Sequence, residues 1–195
     1  MTLVEDTLRA IRAHGAGVGM DEIAARAGTS KTVIYRHFGD RAGLYAAVVE
    51  KVHDYIHADL RAALALGAAG GLATLAHDLA DAYLSLVERD PEIYRFVMNP
   101  PATSLADVDP LGGLPEVISD HVAEAVSAHL EARGRDTACA ATWGHGLVGF
   151  VRAVADRWMA TGQAEPKHEL VAYVDAFVGP ALAALDNQPL LQEQR

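Results

Sequence analysis

Lys31, Thr32, Val33, Tyr35, Arg36 and His37 are the residues whose types and spacing best fit a chemical task. They combine two cations, a hydroxyl, a phenol and an imidazole with one branched apolar side chain, all within a stretch of seven residues. Such a set can donate to phosphate oxygens and read base edges. Arg36 suits a bidentate pair with guanine, or a plain phosphate contact, and Val33 suits a thymine methyl. Ile34 and Phe38, four apart, supply the inward side of a helix that leaves the other six largely outward. Ser30 precedes them as an N-cap, its hydroxyl able to accept from an orphaned backbone N–H. Before it, Ile23, Ala24 and Ala27 give a short helix one apolar face, and Gly28 can take the positive φ that ends it. Two short helices joined by a tight turn form a helix-turn-helix, whose second helix lies in a DNA major groove.

Other reactive types are dispersed. His53 and His57 sit four apart, a spacing able to hold a metal, but no carboxylate or cysteine motif completes a site, so none is expected. Cys139 is the single cysteine, so no intrachain disulfide can form, a pattern that fits a reducing cytoplasm. With no basic helper nearby in sequence it reads as a small buried hydrophobe rather than a redox centre. No nucleophile motif, phosphate loop or metal-binding run is present. The chain is therefore not expected to be an enzyme, nor to carry a cofactor.

The elements that must position these residues are all helical. Alanine and leucine dominate, with few β-branched runs. Leu3–His14 forms a first helix closed by Gly15 and Gly17. Gly19 stands at the next N-cap without a side-chain acceptor, which predicts a slightly looser start. A long helix runs from Asp40 through Leu60 and ends before Gly67. A fifth follows from Leu72 to Val87, and a short sixth from Glu92 to Met98, with Pro91 in its first turn. Residues 99–113 read as one extended loop, a connector or a site entrance. A seventh helix spans Pro115–Arg133, an eighth Asp136–Thr161 and a ninth Pro166–Leu185, bent by Pro180. The tail after Asn187 is predicted to fray. No apolar run approaches the ~20 residues of a membrane span.

The eighth helix carries a stripe of small residues, Ala138, Thr142, Gly146, Gly149 and Ala153, which lets another helix approach closely. On the same helix His145, Arg152 and Asp156 can share one side. Arg152 and Asp156 either pair at i,i+4 or orient an anionic ligand group. Charge is uneven along the chain. The net value is −10, yet residues 1–53 carry seven basic against six acidic side chains. Screening over ~8–10 Å makes the local patch of Lys31, Arg36 and Arg41 matter more than the total.

Ile23, Ala24, Ala27, Gly28, Ser30, Ile34, Tyr35, His37, Phe38, Arg41 and Leu44 together match a pattern at fixed spacing. The segment resembles the DNA-binding head of the TetR family of bacterial transcriptional regulators. The resemblance implies a three-helix head over 1–45, a helical ligand-binding and dimerisation body over 46–187 and a flexible tail over 188–195. It carries over DNA contacts to Ser30, Lys31, Thr32, Val33, Tyr35, Arg36, His37 and Arg41, with Tyr35 and His37 on phosphate. The basic arm that often precedes the family's first helix is absent from this sequence. The resemblance further implies a four-helix dimer interface from the last two helices, which the stripe at Thr142, Gly146, Gly149 and Ala153 fits. Tyr83, Tyr94, Phe96, Met98, Trp143, His145, Phe150 and Arg152 are expected to line a pocket for a small-molecule effector. The expected protein is a cytoplasmic, homodimeric repressor that leaves a palindromic operator when an effector binds. A transcriptional activator, or a helical binding protein that has lost DNA affinity, is the alternative.

Overall fold

The computed structural model describes residues 2–99 and 113–187, side chains at 56–69, 113 and 114 excepted. Within them the chain is helical without strands: α1 Leu3–His14, α2 Met20–Arg26, α3 Lys31–Phe38, α4 Arg41–Gly70, α5 Leu72–Arg89, α6 Pro91–Met98, α7 Gly113–Glu131, α8 Ala140–Ala160 and α9 Lys167–Asn187. Two compact units emerge, Met1–Ile56 with Arg89–Leu114, and His57–Glu88 with Pro115–Arg195. The loop foreseen at 99–113 falls almost wholly outside the described residues, as does the tail from 188.

In the first unit Leu8, Ile11, Ile23, Ile34, Leu44 and Val48 form the buried core. Thr2 and Glu5 close a reciprocal capping box on α1, each side chain accepting from the other's backbone N–H. At α2, Glu22 reaches back to accept from the Gly19 N–H at 2.8 Å, which supplies half of the cap that glycine lacks. The sixth helix belongs to this unit. Asp90 accepts from the Arg12 guanidinium at 2.6 and 3.1 Å, and Glu92 Oε2 accepts from the Ala16 N–H at 3.0 Å. Tyr45 Oη donates to the Val97 carbonyl at 2.7 Å.

In the second unit Leu75, Leu79, Leu84, Val122, Leu130, Val148, Val151 and Val174 make the core. Asp186, late in α9, holds one end of it together. Its carboxylate accepts from the Leu72 N–H at 2.9 Å, satisfying a first-turn donor of α5, and lies 2.6 Å from Nε2 of the buried His129. Along α5, His77 pairs with Asp175 at 2.8 Å, and this hydrogen bond raises the imidazole pKa above its ordinary value. Lys167 donates to Asp81 at 2.6 Å and to Ser85 at 2.7 Å.

Several boundaries differ from the sequence reading. The fourth helix does not stop before Gly67 but continues to Gly70, because its alanine-rich end tolerates an interior glycine at about 1 kcal/mol. Gly71, at φ +105°, is where it ends; a Cβ there would lie 2.6 Å from Asp186 Oδ2. The eighth helix starts at Ala140 rather than Asp136, since the Asp136 carboxylate accepts from the Ala138 N–H in a turn. The ninth helix runs unbroken through Pro180 to Asn187. Its mean hydropathy of 1.2 makes it the one described helix long and apolar enough, by length and composition, to cross a membrane, although Asp175 and Asp186 interrupt its apolar run.

Candidate nucleic-acid interface

The α2–α3 pair is built as a rigid corner. Gly28 takes φ +63° after α2, and Ser30 Oγ accepts from the Val33 N–H at 3.4 Å to cap α3. Ile34 and Phe38 are buried, which fixes the rotation of the helix about its axis. Lys31, Thr32, Tyr35, Arg36 and His37 are consequently exposed and Val33 half-buried. The imidazole of His37 stands edge-on to Phe38 with centroids 4.6 Å apart. Arg36 makes no ion pair among the described residues, so its guanidinium is available to a ligand.

Three members of the expected contact set have internal roles as well. Ser30 is engaged as the cap. Arg41 is half-buried and donates from Nη1 to the Val18 carbonyl at 2.9 Å, tying the start of α4 to the α1–α2 turn. Lys31 Nζ lies 2.8 and 2.9 Å from the two oxygens of Asp21 and 5.9 Å from the Tyr35 ring centroid. The hydrogen bond to Asp21 holds the lysine pKa above its ordinary value.

Sequence reasoning missed three positions here. Asp21 and Lys31 are ten residues apart and meet only through the turn. Asp40 caps α4 by accepting from the Gly43 N–H at 2.9 Å. At Gly43 itself, a Cβ would stand 1.9 Å from the Phe38 carbonyl oxygen, so the α3–α4 corner closes only on glycine. The sequence clue was a glycine three residues into a helix, where its propensity cost needs a reason.

In the second unit Thr142, Gly146, Gly149 and Ala153 all lie on the exposed side of α8. A Cβ added at Gly146 or Gly149 would meet nothing within 4 Å, so this stripe is not consumed by packing inside the chain. Beside it a groove runs between α8 and α9, lined by Trp143, Leu147, Phe150, Phe177 and Val178. Phe150 stacks on Phe177 with centroids 5.3 Å apart, and Phe177 is 73% exposed. Tyr173, one helical turn earlier, is 59% exposed. The intimate internal contact is made instead by Gly144, whose Cβ would fall 2.6 Å from the Ala123 backbone nitrogen on α7.

The residues expected to line an effector pocket are divided. Tyr94, Phe96 and Met98 belong to the first unit and the other five to the second. Tyr83 is buried on α5, whereas Trp143 and Phe150 line the outer α8–α9 groove. His145 lies with Nδ1 2.9 Å from the Ala141 carbonyl and Nε2 3.4 Å from Glu116 and 3.7 Å from Asp120. Arg152 sits 3.7 Å from Asp156, both half-exposed, in the i,i+4 arrangement. Cys139 is half-buried just before α8. His53 is half-buried on α4, and the His57 side chain lies outside the described residues.

An exposed donor-rich helix on a capped two-helix corner, carried with a separate helical body, defines a helix-turn-helix regulator. Comparison with known proteins places it further. Residues 3–48 match the family described as bacterial regulatory proteins, tetR family, and residues 59–191 match the tetracyclin repressor-like C-terminal domain. An HTH-type transcriptional regulator of Mycobacterium tuberculosis is 32% identical over 184 residues, covering 94% of this chain and 76% of that protein. The HTH-type transcriptional activator FasR of Mycolicibacterium smegmatis is 37% identical over 84 residues, 43% of this chain and 36% of that protein. Among solved structures, the fatty acid degradation regulator FadR from Bacillus halodurans shares the fold with TM-score 0.67 at 16% identity, covering 90% and 92% of the two chains. The chain belongs to the TetR family of bacterial transcriptional regulators. It is a regulator of transcription, not an enzyme.

Proposed function

We propose that this protein is a ligand-responsive repressor that binds a palindromic operator as a homodimer and releases it when a small molecule occupies the body. The carrying observation is the α3 face, where Thr32, Tyr35, Arg36 and His37 project together from a helix whose inner side is locked. The N-terminal residues of such a helix reach base edges and its flanking donors reach phosphate. Ser30, Lys31, Val33 and Arg41 complete the proposed contact set, with Arg41 holding the corner and using its remaining donors on backbone phosphate.

Dimerisation rests on the outer α8–α9 face. Thr142, Gly146, Gly149 and Ala153 form a flat strip beside exposed Phe177 and Tyr173, an apolar surface of the kind that two-fold partners cover. Two α3 helices would then address half-sites about 34–36 Å apart, or a multiple of that. The match of residues 59–191 to a tetracyclin repressor-like C-terminal domain supports effector binding within 46–187. Such an effector must bind the DNA-incompetent state more tightly, because equal affinity for both states shifts nothing. The protein would act in the cytoplasm, where its DNA lies.

Replacing Tyr35 and Arg36 together by alanine tests this reading. Each side chain is exposed, so folding and self-association should be unchanged while operator affinity falls by about 10²–10³-fold. Unchanged operator affinity in the double variant would remove α3 from the interface. Similarity to the activator FasR over 84 residues favours a second reading, in which the bound dimer raises transcription. Transcript levels from the bound promoter in a strain lacking the protein separate the two: a rise indicates a repressor, a fall an activator.

A further inference from the structure

Lys31 opens α3, and a cation at a helix N-terminus sits against the macrodipole. The fold answers this with Asp21, from the first turn of α2, whose two carboxylate oxygens lie 2.8 and 2.9 Å from Nζ. Both partners are open to solvent, the lysine side chain 52% and the aspartate side chain 70% exposed. The lysine is held from two sides, since its ammonium also lies 5.9 Å from the Tyr35 ring centroid. The pair therefore stands on the surface of α3, the helix that also carries the exposed Arg36. A phosphate approaching Lys31 must either displace the carboxylate or meet an ammonium already neutralised.

We infer that Asp21 is an affinity-setting residue of the DNA interface, a resident competitor that keeps Lys31 from engaging phosphate on arbitrary duplex. This rests on the α3 face being the DNA-binding surface. Neutralising a phosphate releases condensed counterions, and each such contact adds about 0.9 to the slope of log affinity against log salt. A lysine retained by Asp21 releases none. Non-specific binding draws nearly all its strength from these contacts, so masking one cation lowers unwanted retention on the genome.

The test is a cycle of four full-length proteins, wild type, Asp21→Asn, Lys31→Met and the double variant, titrated across salt against a duplex of random sequence. Asp21→Asn is expected to bind about three- to tenfold more tightly at low salt, with a slope steeper by about 0.9. The gain from Asp21→Asn should require the lysine: in the Lys31→Met background the same substitution should steepen the slope by much less than about 0.9. If Lys31→Met by itself flattens the slope by one contact, the lysine already engages phosphate and the inference falls. It also falls if Asp21→Asn tightens binding equally without Lys31, which would be general repulsion, or if Asp21→Asn weakens binding. Salt-dependent binding by all four without coupling rejects the Asp21 assignment alone. Absence of binding in all four rejects the DNA-binding reading and this inference with it.

Discussion

Gly149→Arg is expected to leave the protein monomeric and to lower its affinity for a two-half-site operator by about 10²–10⁴-fold, the avidity lost when linked heads become independent. The position isolates assembly from folding. Gly149 is exposed on α8, and a Cβ there meets nothing within 4 Å. Arginine is also the better helix former by about 1 kcal/mol, so the monomer should be no less helical. Against a partner's copy of the same strip, however, two guanidinium groups would meet across the two-fold axis and lose water without an acceptor. Sedimentation velocity reads the assembly, circular dichroism the fold and a mobility-shift titration the affinity. A variant that stays dimeric would place the interface away from Thr142, Gly146, Gly149 and Ala153.

Gly144→Val should markedly destabilise the body. Gly144 is buried on α8, and the added Cβ would lie 2.6 Å from the nitrogen, 2.7 Å from the Cα and 2.9 Å from the Cβ of Ala123 on α7. These neighbours are backbone or attached directly to it, so no rotamer change relieves the clash and the two helices must separate. Overpacking of this kind costs about 1–3 kcal/mol or more. For a chain of this size each kcal/mol lowers the midpoint by about 2–4 °C. Differential scanning calorimetry should show the shift. A midpoint unchanged within a degree would mean that α7 and α8 do not approach at this glycine.

The two glycine classes show what a sequence conveys and what it withholds. Spacing alone puts Thr142, Gly146, Gly149 and Ala153 on one stripe of a helix, and that stripe is exposed along its length. Gly144 lies off the stripe, and only its distance to Ala123 reveals its purpose. The α3 face was legible because every signal is local: the Ser30 cap, the Ile34 and Phe38 pair, and the turn glycine before them. The Asp21–Lys31 pair, the Gly43 corner and the Arg12–Asp90 bridge across 78 residues arise from tertiary contact, which periodicity does not encode.

Aromatic residues illustrate the same limit. Trp143 and Phe150 recur at helical spacing and so must share a side, but the pattern does not say whether that side faces a cavity or solvent. In the structure they line an outer groove with Phe177. The Arg41 guanidinium was equally ambiguous, since a basic residue opening a helix serves phosphate or a backbone carbonyl, and here it reaches Val18. Charge balance pointed to the first 53 residues without distinguishing cations already paired, such as Lys31, from those left open, such as Arg36.

The central claim is that the α3 face reads a specific duplex, and binding to the DNA immediately upstream of the protein's own reading frame, titrated across salt, tests it most directly. Two chains should occupy a pseudo-palindromic site, with affinity at least about 10³-fold above that for random duplex and a steep inverse dependence on salt. Binding that is weak, equal on all sequences and unchanged by replacing Tyr35 and Arg36 would contradict it.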